Sequence, residues 1–570
     1  MALTLWILCV SVKLVCLAEP AREQLPTRPV KRDEASINIK IDGHLDEEVW
    51  AGIPWTDGFR VTEPDTLIPA ALRTQVKIFY TEAGLYIGSW NEQAVDTLIE
   101  RLSSRDAWLT RDRLTVTLDT SGEGLYGYWF GVNLGGSLSD GTVLPERQFR
   151  SEWDGPWRAE TAQLKDGWSA EMFLPWSMMS MPDATNYTRT MGITLQRAVA
   201  HKNQTWGIPA LPRTTGLFMS RLHKLVLTDV NPKQQITFYP FISTSFDGVK
   251  HEATAKAGFD IFWRPTTNFQ ITSSINPDFG NVESDDIVVN LTSYETFYPE
   301  KRPFFLEGQE IFITSPRATT RHGSSHRTPV TLLNTRRIGS PARTPDDEGL
   351  ALTRLERNQP SELLGAVKIT GQSGALRYGL LTAFENETDF NGVIDEQSIN
   401  IRQTGRDFSA ARMLYERSNV NGRSSIGLIT TQVSHPEETA TTHGVDGHYL
   451  SGSGKIEADV QGLASDIEGL QGYGIFADLA YRPSRGLKHG LALDFFDRQL
   501  QINNFGYLQR NNAKGYSYGL ERQRSGLESF TSIQDNFSFS QHWNLDGLLT
   551  RSALSASKQL EFNNHTKLNM

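Results

Sequence analysis

Near the C-terminal third of the chain one pattern recurs. Tyr473, Ile475, Ala477, Leu479 and Tyr481 share one side of an extended backbone, and Gly474, Phe476, Asp478 and Ala480 share the other. Leu491, Leu493 and Phe495 repeat it against Ala492, Asp494 and Phe496. Earlier, Ala255, Ala257, Phe259, Ile261 and Trp263 stand against Lys256, Gly258, Asp260 and Arg264, with Phe262 the one exception on the polar side. A period of two is the period of a strand, and Asn421-Gly422 supplies a tight turn between two such runs. Strands of about ten residues with one apolar and one polar or small face fit an outer-membrane barrel, apolar side to lipid and polar side to lumen. A large soluble sandwich or propeller has the same period, so alternation alone leaves both open.

Nothing beyond residue 18 approaches the ~18–20 apolar residues of a membrane-spanning helix. A membrane is therefore met by a closed barrel or at its surface. The opening run, MALTLWILCVSVKLVCLA, reads as a secretory signal peptide cut before Glu19, although no basic residue precedes it and Lys13 interrupts it. The competing reading is a buried strand or a displaced start. Both cysteines, Cys9 and Cys16, lie in this run, so its removal excludes disulfides, thiolate metal sites and cysteine nucleophiles. A formal charge of -10 argues against nucleic acid, which needs a basic face.

Residues 19–36 are polar and look like an exposed lead-in. From 37 to 228 come short β-branched and aromatic runs such as Thr74 to Tyr80, Leu85 to Trp90, Leu114 to Asp119 and Gly167 to Leu174, spaced as in a β-sandwich. One short helix is expected at Leu45 to Ala51, with Trp50 packing inward. Beyond Asn231-Pro232 the strands lengthen, giving an all-β chain: an N-terminal sandwich, then a transmembrane antiparallel barrel over 233–570. Between 276 and 343 the alternation fails in favour of Pro, Gly and charge, as expected of a plug or long functional loop. About a dozen strand-like runs follow Gln234, and the chain stops in mid-pattern at KQLEFNNHTKLNM; whether the barrel is complete at residue 570 is left open.

The sandwich carries IDGHLDEEVW (Ile41 to Trp50), Arg105-Asp106, FGVNLGGSLSDG (Phe130 to Gly141), WDGPWRAET (Trp153 to Thr161) and GWSAEMFLPW (Gly167 to Trp176). This order resembles the family 9 carbohydrate-binding module found at the N-terminus of bacterial outer-membrane proteins. The second part carries INPDFGNVESDDIVVNLTSYETFYPEKRPFFLEG (Ile275 to Gly308), TRRIG (Thr335 to Gly339), GAVKITGQSG (Gly365 to Gly374) and NNFGYLQRNN (Asn503 to Asn512). It is similar to the DUF5916 barrel domain that follows such modules. The resemblance implies secretion across the inner membrane, a bacterial outer-membrane barrel, and a sugar-binding module on its periplasmic or outer side. It brings no established activity.

Sugar recognition needs flat apolar faces and polar groups for hydroxyls. Trp108, in the polar loop SSRDAWLTRDR, and Trp153 and Trp157, among Gly and Pro, are the aromatic candidates, with Arg105, Asp106 and Arg111 nearby. Trp50, Trp168 and Trp176 sit in framework motifs and read as core. No cofactor is required. Several modules of the resembling kind bind calcium, which takes oxygen ligands; Asp42, Asp112 and Asp140 are candidates, though a solvated acidic surface explains them as well. In the plug-like stretch Glu300 and Glu307 could act as an acid and base pair on a glycosidic bond if roughly 5 to 10 Å apart. The plainer reading makes Glu300, Lys301, Arg302 and Glu307 ion pairs that pin the loop while Phe304, Phe305 and Leu306 pack it to the wall. His322 and His326 lie in a loop without helical character.

The expectation is an outer-membrane protein that captures polysaccharide or oligosaccharide for uptake or catabolism, with outer-membrane lipid its other partner. Two alternatives stand beside it: a hydrolase of O-glycosyl bonds, and a porin-like or receptor barrel whose sandwich binds no sugar.

Overall fold

A computed structural model describes residues 22–570 apart from 108, 183–186, 231–234, 249–250, 267, 279–287, 292–293, 320–327 and 420. The signal-peptide run with Cys9 and Cys16, the Trp108 candidate and the pair His322 and His326 lie outside the described residues.

The N-terminal part is a sandwich of two sheets. One has five strands in the order Val30–Lys31, Thr74–Tyr80, Gly84–Glu92, Gly167–Pro175, Arg158–Leu164. In the other, the long strand Thr188–Val199 pairs with Arg113–Asp119, Gln204–Ile208 and His223–Thr228. Alternate residues of both sheets meet in one core, with Val76, Ile78, Ile87 and Met172 from the first and Val116, Leu118, Ile193 and Leu195 from the second. Trp168 and Trp176 belong to it, as their framework positions suggest.

The two framework motifs interlock through one side chain. Glu171, the acid of GWSAEMFLPW, accepts the backbone N–H of Asp42 and Gly43 and the indole N–H of Trp50, all three from IDGHLDEEVW. Gly43 has φ +86°, and a Cβ there would lie 2.6 Å from the Thr161 carbonyl carbon, so no other residue fits the turn. The turn lays Trp50 on the outer face of the five-stranded sheet against Phe79, itself stacked on Tyr86 at 4.5 Å. The helix is shorter than expected, Glu48–Ala51, because Leu45 is used to cover that same face instead.

The lead-in is not a free arm. Leu25 is buried, Lys224 N–H donates to the Glu23 carbonyl at 2.8 Å, and Val30–Lys31 pair in parallel with Phe79 and Tyr80. An otherwise bare sheet edge is thereby covered, the usual reason a short polar segment becomes a strand.

The remainder is a fifteen-stranded sheet in which every neighbour pair is antiparallel, running from Gln235–Asp247 to Lys567–Asn569. Among the described residues no ladder joins the first strand to the last. Along Leu470–Ser484 the expected faces appear: Tyr473, Ile475, Leu479 and Tyr481 are between 39% and 55% exposed on the outside, and Phe476, Asp478 and Ala480 are buried on the inside. No helix of the described residues is long and apolar enough to cross a membrane.

Between the strands Phe269–Ile275 and Leu363–Ser373 the chain turns inward. It forms the short helix Pro303–Leu306 and several single turns, more structure than the loop expected there. Phe304, Phe305, Ile311 and Phe312 pack on the inward side chains Ala383, Phe408, Phe476 and Phe496, which explains why the inner face is not wholly polar. Arg317, buried, donates to both oxygens of Asp478 at 2.7 and 2.8 Å and to Asp494, fixing this plug to two adjacent wall strands.

Candidate functional site

The sandwich, the plug and the first wall strands line an open cavity of about 450 Å³. Its sandwich side is the loop Glu152 to Pro156 with Ser177 and Met178; its wall side is Gln235, Thr237, Tyr239, Asp260, Phe262, Arg264 and Gln270; its floor is Lys301, Pro303, Leu306 and Glu307. Alternation places Asp260, Phe262 and Arg264 together on the inward face of Glu252–Thr266. Phe262, the exception in the sequence pattern, is therefore the aromatic residue its strand turns into this space. Tyr239 from the neighbouring strand meets it edge-on, ring centres 5.7 Å apart and planes at 82°.

Glu307 joins the three parts. Its carboxylate accepts the Trp153 indole N–H at 3.0 Å and a short bond from Arg264, which also donates to the Ser177 carbonyl at 2.7 Å and to Gln270 at 3.0 Å. Trp153 is only 7% exposed, clamped by Tyr128 and Phe130, and presents an edge to the cavity rather than an open face. Trp157 is buried against Phe130 at 5.4 Å and is not among the residues that line this cavity. Of the aromatic candidates, then, Trp153 reaches the site and Trp157 is core.

The polar candidates hold the loop that carries Trp153. Arg105 reaches Asp140 at 2.7 Å, Asp154 at 2.6 Å and the Gly155 carbonyl at 3.0 Å, while Asp140 accepts the Gly155 N–H at 2.7 Å. Asp106 accepts the Asp140 N–H at 2.9 Å. Burial raises the Asp106 carboxyl to about 7 and the Asp140 carboxyl to about 6. Arg111 donates to the Arg101 and Ala107 carbonyls and shapes its own loop, away from the cavity.

The metal candidates do not converge. Asp42 lies with Glu47 and Glu171, Asp140 with Asp106 and Asp154, and Asp112 apart from both, accepting Gln93, Ile99 N–H and Ala200 N–H. The two groups bring carboxylate oxygens within 4.8 Å of one another, but Glu171 already takes three N–H donors and Asp140 an arginine and an amide. Calcium takes six to eight oxygens, and neither group leaves that many open.

The catalytic candidates are engaged as well. Glu300 accepts Arg302 through both oxygens, at 2.8 and 2.7 Å, and the Thr335 hydroxyl at 2.6 Å. Burial works to raise its carboxyl; Arg302 and Thr335 more than offset this and hold it below the ordinary value. A carboxylate so held has no proton to give at neutral pH. Phe262, Tyr239 and Arg264 were absent from the sequence candidates, and the break in alternation at Phe262 was the signal for them.

A family described as "Domain of unknown function (DUF5916)" matches residues 232–570. No curated protein matches. Among solved structures, a family 9 carbohydrate-binding module from Caldicellulosiruptor kristjanssonii in complex with cellotriose is 13% identical, covers 35% of this chain and 94% of its own, and has a TM-score of 0.26. The outer membrane protein opdK from Pseudomonas aeruginosa is 8% identical over 90% of this chain and 96% of its own, TM-score 0.26. OccAB4 from Acinetobacter baumannii is 6% identical over 88% and 93%, TM-score 0.25. All three likenesses are slight.

Proposed function

The chain belongs to the DUF5916 family, whose description records no activity, and we propose that it is an outer-membrane protein that captures polysaccharide or oligosaccharide at the junction of its sandwich and its barrel wall. The observation that carries the reading is the junction cavity. It sets Tyr239, Phe262 and the edge of Trp153 beside Asp260, Gln270, Lys301 and Glu152. Aromatic faces with a few convergent polar groups are what a sugar ring requires. The outward row Tyr473, Ile475, Leu479 and Tyr481 supports the membrane half: it would face lipid while the inward charges stay with the plug.

A porin-like function fits less well, since the plug is fixed to the wall by buried ion pairs. Glycoside cleavage has no observation in its favour, given the engagement of Glu300 and Glu307. The capture reading is tested with the full chain purified in detergent from outer-membrane fractions and passed over immobilised polysaccharides. Retention on at least one, competed off by its own oligosaccharide, is expected; recovery of folded protein in the soluble fraction, or no retention on any, contradicts it.

A further inference from the structure

We propose that the junction cavity selects a protonated amino sugar, an ammonium-bearing pyranose within an oligosaccharide. The inference rests on the capture reading and names its ligand class. It begins from the charges in the cavity wall. The positive groups are committed: Arg264 to Glu307, Gln270 and the Ser177 carbonyl, and Lys301 likewise engaged. Two of the negative groups are not neutralised. Glu152 has one carboxylate oxygen shielded from solvent with no donor on it, and Asp260 receives only the Ser274 hydroxyl.

A partly buried carboxylate without a counter-charge is costly, and more so than a neutral group. A ligand that carries positive charge supplies that counter-charge from the cavity. Glu152 lines a second cavity of about 280 Å³ as well, so the residue borders two spaces large enough to admit a ligand. The aromatic pair adds a second attraction. Phe262 and Tyr239 stand at 82° to each other, so a ring stacked on one lies at the edge of the other, and an ammonium near either face gains a cation–π contact. The cavity of about 450 Å³ lies within the ordinary range of ligand clefts. A neutral sugar offers these carboxylates hydroxyls alone, and an acidic sugar is repelled.

Three matched probes isolate the charge: equal-length β-linked oligomers of glucosamine, N-acetylglucosamine and glucose, which differ only in ammonium, acetamide or hydroxyl at the second ring carbon. With the full chain in detergent, calorimetry is expected to show the glucosamine oligomer bound about tenfold more tightly than either neighbour, the size of one charged hydrogen bond, and more weakly as salt rises. The double variant Glu152→Gln with Asp260→Asn should erase the preference, whereas Asp389→Asn, on an exposed hairpin, should keep it. Variants are accepted only with the parent's far-UV spectrum and heat-modifiable mobility; if the double variant fails that check, each single substitution is read instead. Equal or weaker binding of the glucosamine oligomer overturns the inference, as does a preference that survives both substitutions. Retention of some other polysaccharide while none of the three binds overturns it and leaves the capture reading standing. No binding to any glycan overturns both.

Discussion

Trp153 of the sandwich donates its indole N–H to Glu307 of the plug at 3.0 Å, and Arg264 of the wall holds the other oxygen of the same carboxylate. Residues that read in sequence as a sugar platform and a catalytic acid are thus each other's partners. Trp153→Phe keeps an aromatic ring against Tyr128 and Phe130 and removes the donor, together with part of the ring volume. It should cost about 1.5–3 kcal/mol, as expected for a hydrogen bond to a charged group, and expose the sandwich to protease at lower denaturant than in the parent. Denaturant titration of the full chain checks this; an unchanged midpoint contradicts it.

Arg317 is the plug's attachment to Asp478 and Asp494. Arg317→Met takes the shared arginine away from these two buried carboxylates, and breaking a buried pair in this way costs about 3–5 kcal/mol. The variant should unfold at lower denaturant and pass current in planar bilayers where the parent is closed. Parent-like stability with a closed bilayer would falsify the plug assignment.

Acid should favour the sandwich. Asp106 and Asp140 hold their protons to about 7 and about 6 because they are buried, while the unfolded chain releases them near 3.8. The folded state therefore binds more protons than the unfolded one in between, and stability falls as pH rises through the folded values. Between pH 5 and 8 the loss should be on the order of a few kcal/mol, read as a falling melting temperature, and Asp106→Asn should flatten the slope. Stability that rises across that window in the parent but not in Asp106→Asn contradicts the assignment.

Chelation should do nothing. Glu171 and Asp140 are satisfied by N–H donors and an arginine, so EDTA is expected to leave the melting temperature of the full chain where it was. A fall on chelation that calcium restores would show that one of the two carboxylate groups holds metal.

The period-two rows told inside from outside, because a strand has only two faces and burial sorts them. The sequence also exposed Phe262 as an aromatic residue on a polar row, and the structure turns it into the cavity. Partners distant in the chain were not legible. Nothing near Trp153 announces Glu307, 154 positions on, and a tryptophan between Gly and Pro looks the same whether its face is free or clamped by Tyr128. Asp42, Asp112 and Asp140 share a residue type but sit in separate parts of the sandwich, so composition alone groups what the fold keeps apart. Val30–Lys31 is too short to show a period; it is a strand only because Thr74–Tyr80 offers it an edge.

The central claim, that the fifteen-stranded sheet is a membrane wall around a plug, is tested most directly by spin labels placed one at a time along Leu470–Ser484 in the full chain reconstituted in lipid. Labels at Tyr473, Ile475 and Leu479 should be accessible to dissolved oxygen and closed to a water-soluble nickel chelate. Labels at Gly474, Phe476 and Asp478 should be closed to both. High chelate accessibility at Tyr473, Ile475 and Leu479 would place that face in water and contradict the account.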